Sequence, residues 1–254
     1  MSIESLLEQL KASYGHDFEV FGERLREIDK AFKDSAKALA PFFTDFKKFS
    51  DNLRQIPSHL HAPLRDLARQ GWYLDPSWSL DAPLKAHKIL CTEGSESLDE
   101  ALVDYFESQS TSIINALAKH HPKREAIIRS ALRAHHSEEF ELSVPVFLIQ
   151  ADGISKEQFG RYLFIRSNGN PEISSYLDTL DKDDLLRAFM APLAEPTTIN
   201  LAQKERGAAF VGLNRHLVLH GDSVDYGSRA NSLKALSLLN HVGRISLQTA
   251  EQFA

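Results

Sequence analysis

Cysteine is nearly absent, since Cys91 stands alone among 254 residues. One thiol excludes an intramolecular disulfide and a cysteine-based metal centre, and it fits a reducing compartment. In that setting Cys91 reads as a small core residue rather than a nucleophile. Long apolar runs are also missing. The best, Val144 to Ile149, is interrupted by Pro145 and falls far short of the roughly 20 residues that span a bilayer. The opening residues Met-Ser-Ile-Glu-Ser-Leu-Leu-Glu are acidic where an export signal would be basic. A soluble, cytoplasmic protein with no membrane association is the expectation. Positive charge is in deficit, with 29 Lys and Arg against 35 Asp and Glu and a net charge of −6. That excludes indiscriminate nucleic-acid binding, because phosphate neutralisation supplies most of such affinity. Any contact with RNA must therefore be local, and Lys119-His120-His121-Pro122-Lys123-Arg124, continued by Arg129, Arg133, His135 and His136, is one candidate track. Internal repeats and low-complexity tracts are absent as well.

What is present is helical patterning on a chain that is 43% hydrophobic, enough for a substantial core. From Ile3 to about Phe49, Leu6, Leu10, Phe18, Phe21, Leu25, Ile28 and Phe32 recur at mostly three- and four-residue intervals, which predicts amphipathic helices. Pro41 breaks the run, and Phe42, Phe43, Phe46 and Phe49 resume it as packing aromatics. Prolines, Gly71 and the Trp72-Tyr73 pair between Pro57 and Pro83 mark turns. The resulting division is an N-terminal helical region over 1–90 and a main helical domain over 91–254.

Within the main domain, Ser97 to Lys119 and Lys123 to His135 read as successive helices, the second started by Pro122. Phe140 to Ile154 has strand-like β-branched content, yet the helical surroundings favour helix, with Pro145 in its first turn. Asn168 to Asn200, with its acidic run Asp178 to Asp184, reads as a surface excursion holding one short helix around Leu185 to Met190. Lys204 to His220 reads as a single helix with Phe210, Leu213, Leu217 and His220 along one arc. Gly221 supplies its C-terminal cap, placing His220 in the last turn, where the helix dipole favours an imidazolium. Arg215 lies about 7.5 Å and about 140° from His220 on such a helix, within reach of a long side chain.

Asn214-Arg215-His216-Leu217-Val218-Leu219-His220-Gly221 resembles the R-x4-6-H motif of the HEPN superfamily, including the polar residue after the arginine. Tyr226-Gly227, Asn231-Ser-Leu-Lys234-Ala-Leu and the upstream Gln150-Ala-Asp152-Gly153 are similar to an uncharacterised bacterial branch of HEPN-like proteins. The likeness covers roughly Leu117 to Leu239. It implies an all-α, HEPN-like helical bundle with an N-terminal helical extension. It also implies metal-independent endoribonuclease activity by 2′-hydroxyl attack, no cofactor, and a homodimer that joins two motifs. A toxin or anti-phage defence effector, checked by an antitoxin or regulatory partner or by its own N-terminal helices, is the corresponding role. Arg215 and His220 would then be catalytic, holding the phosphate and transferring a proton. Asn214, His216, Asp152, Tyr226 and Asn231 would support them or bind substrate.

Plainer readings stand beside this one. Arg215 can serve surface ion pairs and His220 can be a satisfied core histidine. The whole motif can also belong to a non-catalytic HEPN-like interaction or dimerisation module. His216 and His220 have the i, i+4 spacing of a helical zinc site, but Leu217 stands where a zinc protease carries glutamate; no metal is expected.

Overall fold

The computed structural model describes residues 59–79, 81–167, 169–181, 185–207 and 210–252, with side chains through 245. The helices expected between Ile3 and Phe49 lie outside the described residues. The remainder is all-α: α1 (59–69), α2 (Ala82–Thr92), α3 (Ser95–His120), α4 (Glu125–His136), α5 (Phe140–Phe159), α6 (Ser174–Leu177), α7 (Leu185–Ala194), α8 (Arg215–His220) and α9 (Arg229–Gln252). Arg166–Ser167 and Asn170–Pro171 form a minimal antiparallel hairpin, β1 and β2, with Arg166 opposite Pro171. None of the described helices is long and apolar enough to cross a membrane.

The core is organised around α9. Its residues Leu233, Leu236, Leu239, Val242 and Ile245 are buried and recur at three-residue steps, each side chain a neighbour of the next on the helix surface. This helix packs most extensively on α5 and next on α3, while α4 covers the other side of α5. Leu60, Leu64, Leu67 and Trp72 enter the same hydrophobic cluster. The boundary expected between residues 90 and 91 therefore falls inside α2, and residues 59–90 share one core with the later helices. Trp72 fixes this junction by stacking on Phe106 at 5.5 Å and donating to Asp99 Oδ1 at 2.7 Å. Lys234 reaches the other oxygen of the same carboxylate at 2.9 Å.

Phe140 to Ile154 is helical as read, within the longer α5. Pro145 is not in its first turn but is the sixth residue, inside the helix. A proline there offers no amide hydrogen to the carbonyl four residues back, and that carbonyl belongs to Glu141. The Tyr226 hydroxyl supplies the missing donor, reaching Glu141 O at 3.0 Å. The stretch 168–200 also departs from its reading as a surface excursion, since Ile173, Leu177, Leu186, Phe189, Met190 and Ile199 are buried. Its short helix is present as α7, and the Phe189 carbonyl on that helix lies 3.0 Å from Nε2 of the α9 imidazole His241. Cys91 is exposed rather than in the core. It lies on the outer side of α2, 3.8 Å from Nδ1 of His87, whose Nε2 meets Asp66 at 3.2 Å.

Candidate functional site

The expected single helix over Lys204 to His220 is broken. A 3-10 turn occupies Gln203–Glu205, and α8 begins only at Arg215 because Asn214 caps it. Asn214 has extended backbone angles, and its Oδ1 accepts from the amides of His216 at 3.1 Å and Leu217 at 3.3 Å. This is the capping geometry for which asparagine is well suited. The same side chain donates through Nδ2 to Thr198 O at 2.8 Å and Leu201 O at 3.0 Å. Buried to 1% exposure, Asn214 is the fastening of α8 rather than a substrate contact. Gly221 closes the helix with φ +76°, a left-handed conformation that glycine adopts without a Cβ penalty.

Arg215 leaves Asn214 along the inner side of the helix. Its amide donates to Ile199 O at 3.0 Å, and its guanidinium lies over the Phe164 ring, 5.2 Å from the centroid. Its Nε is buried and has no hydrogen-bond partner among the described residues. Asp152 approaches from α5 but does not pair directly with Arg215: Oδ1 accepts from the Leu163 amide at 2.7 Å. Burial raises the Asp152 carboxyl above its usual range, opposed by the Leu163 and Phe164 amides and by the Arg215 charge. Asp152 thus holds the turn that carries Phe164, and Phe164 carries Arg215.

His216 and His220 occupy successive turns of α8, their rings stacked nearly parallel at 5° with centroids 6.1 Å apart. His220 is exposed, not beside a buried face as its sequence position suggested. His216 is half-buried, and burial, followed by the charges of Arg215, His220, Arg206 and Arg166, holds its pKa below the ordinary histidine value. A depressed pKa leaves this imidazole neutral, and so able to accept a proton, at neutral pH. No hydrogen bond or ion pair engages either ring among the described residues.

Two of these arginines, and the Phe164 ring, carried no sequence signal. Arg206 donates to Asn214 Oδ1 at 3.0 Å, while Arg166 is held in a fork by Glu205 at 2.7 and 2.8 Å. They reach α8 from a turn and from β1, so only the tertiary fold brings them there.

Other residues singled out in the sequence do not join this cluster. Tyr226 is spent on the α5 carbonyl. Asn231 receives Ser228 Oγ at its amide and donates to Tyr226 O at 3.0 Å, work that belongs to the start of α9. Gln150 and Gly153 seat a different arginine: Arg124 donates to Gln150 Oε1 at 2.7 Å and to Glu157 at 2.7 and 3.1 Å. A Cβ on residue 153 would meet that guanidinium within 3 Å and oblige it to shift. The basic track is likewise largely engaged, with Arg129 on Glu125 and Asn115 and with His135 buried.

Among the described residues no three His, Cys, Asp or Glu side chains converge as a metal site. Cavities of about 490 Å³ near Lys156, Arg161 and Glu172 and about 710 Å³ between α4 and α5 lie away from α8. No protein family, curated protein or solved structure matches the chain.

Proposed function

We propose that the chain is a metal-independent endoribonuclease of HEPN type whose reacting groups are Arg215, His216 and His220. The observation that carries this reading is the parallel imidazole pair, 6.1 Å apart, beside the charges of Arg166, Arg206 and Arg215. Cleavage by a ribose 2′-hydroxyl needs one group to accept a proton, another to donate one, and positive charge on the phosphoryl oxygens. Two rings at this spacing can each reach a different oxygen of one phosphodiester through hydrogen bonds of about 2.6–3.2 Å.

In this mechanism neutral His216 takes the proton from the 2′-hydroxyl as that oxygen bonds to phosphorus. The bond to the 5′-oxygen breaks, and His220 gives the departing oxygen a proton. The products are a 2′,3′-cyclic phosphate and a 5′-hydroxyl, with one proton gained by His216 and one lost by His220. Arg215 and Arg206 hold the non-bridging oxygens. Asn214 keeps both histidines in register, and Asp152 positions Arg215 through Phe164. Under this reading a second copy of the chain, or a protein that masks α8, is a natural partner, and a toxin or defence effector is the matching role.

A second reading is a non-catalytic interaction module. It is favoured by Arg215 resting on Phe164, a contact that also suits a residue used for packing.

The deciding experiment incubates the full chain and its His220→Ala variant with structured RNA in EDTA and maps new ends. The nuclease reading expects cyclic-phosphate ends that fall at least about 100-fold in the variant, within the range of general acid–base contributions. An inert wild-type chain, or equal cutting by the variant, would leave the module.

A further inference from the structure

Independently of α8 and of the nuclease reading, an apolar groove runs between α4 and α5 and is left open among the described residues. The cavity there measures about 710 Å³ and is lined by Ile127, Ser130 and Ala134 from α4 and by Leu142 and Val146 from α5. Ile127, Leu142 and neighbouring Ile149 remain 46%, 58% and 49% exposed. Scattered exposed aliphatics are ordinary, but three around one concavity form a patch that asks for a partner. The charged residues lining it are Arg133 and Glu139, one of each sign. Among the described residues Arg133 meets only the Ser130 hydroxyl, at 2.6 Å, and no ion pair or side-chain hydrogen bond engages Glu139. Glu138, beside Glu139 in the turn, is directed to Arg229 at 3.6 Å. An apolar surface that carries both a cation and an anion without ionic partners is complementary to a copy of itself.

We infer that the occupant is a second copy of this chain, seated by a two-fold axis that runs along the groove. Such an axis lays α4 of each copy on α5 of the other. The chain reverses at Glu138, whose φ is +60°, and both helices rise about 1.5 Å per residue. Residues at equal steps from Glu138 therefore stand at similar heights on the two walls, which matches Ile127 with Ile149, Ser130 with Val146 and Ala134 with Leu142. Across the axis, Leu142 meets the partner's Ala134 and Val146 meets the partner's Ser130, a large side chain over a small one each time. Ile127 meets the partner's Ile149. Alternation of large and small residues across facing positions is what lets two helical layers interlock. Arg133 on α4 and Glu139 at the start of α5 lie on opposite walls near the turn. The same rotation brings Arg133 to the partner's Glu139, and Glu139 to the partner's Arg133. In an interface of this symmetry every such contact is made twice, so one cation and one anion on each copy pair completely.

The test measures the mass of the full chain by light scattering along a dilution series, for the unmodified protein and for Arg133→Glu, Glu139→Arg and Leu142→Asp. All three positions are exposed, so the substitutions leave the core untouched, and circular dichroism checks that each variant is folded. The inference expects a dimer of the unmodified chain and a dissociation constant at least about tenfold higher for each variant, because each charge reversal sets like charges opposite one another at both ends of the contact. Arg133→Glu and Glu139→Arg mixed in equal amounts should recover the affinity of the unmodified chain, since each copy then meets only opposite charge. An unmodified chain that stays monomeric overturns the inference and gives the groove to another occupant. A dimer that any of the three variants leaves intact overturns it and moves the contact to another face. A mixture no tighter than the single variants overturns the two-fold seating. RNA enters none of these measurements, so their outcome is separate from that of the nuclease reading.

Discussion

The histidines of the helical core and those of α8 look alike in the sequence and differ in what their ring nitrogens do. His241 is buried on α9 with Nδ1 at 2.5 Å from Leu74 O and Nε2 at 3.0 Å from Phe189 O. His135 is buried on α4, with Nδ1 at 2.8 Å from Ser232 Oγ and Nε2 at 3.3 Å from Glu107. Ser232 in turn meets Ser143 at 2.7 Å, so four helices share one polar chain. His216 and His220 have no such ties among the described residues. Burial with both nitrogens engaged makes a histidine a fastener, whereas access with unengaged nitrogens leaves it available for proton transfer.

The sharpest way to break this contrast is to remove each kind. His216→Ala and His220→Ala are expected to lower RNA cleavage by about 100- to 10,000-fold. Their thermal midpoints should stay near wild type, because partly exposed positions without engaged partners usually change stability by no more than about 0.5 kcal/mol. Parallel loss of stability and cleavage would erase the distinction. His241→Ala should do the reverse of a clean active-site change, costing about 3 kcal/mol or more in urea unfolding, since it opens a cavity and removes the imidazole that lies between two buried carbonyls. A cost under about 1 kcal/mol would show that the core imidazole is not a fastener.

Asn214→Ala comes next, at about 2 kcal/mol, from the lost cap and the stranded carbonyls of Thr198 and Leu201. Because the cap holds His216 and His220 in place, cleavage should fall with it, and circular dichroism with an RNA assay would separate this variant from His220→Ala. Acid sharpens the comparison further. Burial is the largest cause that holds His121, His135 and His241 below the usual histidine pKa of about 6.5. As pH falls below that value, the unfolded chain takes up protons first, so the stability from these groups is full above it and drains away through the lower folded values. The urea midpoint should therefore be lower at pH 5.5 than at 7.5, and an equal or higher midpoint would contradict the assignment. The smallest effect belongs to Tyr226→Phe, about 1 kcal/mol or less, because the Glu141 carbonyl it leaves is close to solvent; a larger loss would give Pro145 a wider role.

The helices α3 and α4 were legible as successive helices separated at Pro122, and α5 was read as helix from its helical surroundings despite its strand-like β-branched content. Lys204 to His220 was misread for a local reason. Phe210, Leu213 and Leu217 happen to keep helical spacing, but Gly207, Gly212 and the cap-forming Asn214 interrupt the backbone. Those three residue types were a usable signal that periodicity outweighed. The burial of Ile173, Phe189 and Ile199 was hidden because acidic neighbours and prolines dominate that stretch, while the surface that covers them comes from distant helices. In the site, Arg215, His216 and His220 could be named from one short string. Arg166, Arg206 and Phe164 could not, since each arrives from a separate turn or strand. The roles of Tyr226, Asn231, Gln150 and Gly153 were equally out of reach, as their partners are carbonyls and guanidinium groups set by packing rather than by spacing.

The position of α9 has a consequence for how the protein comes into being. This helix lies at the centre of the bundle, yet it comes after every helix it packs against. At roughly 5–20 residues per second, a ribosome needs several seconds to travel from the end of α5 to the start of α9. During that interval the faces of α3 and α5 that α9 will cover emerge without it. A nascent chain halted there would be a natural client for chaperones, and premature termination would yield a sticky fragment rather than a smaller folded protein.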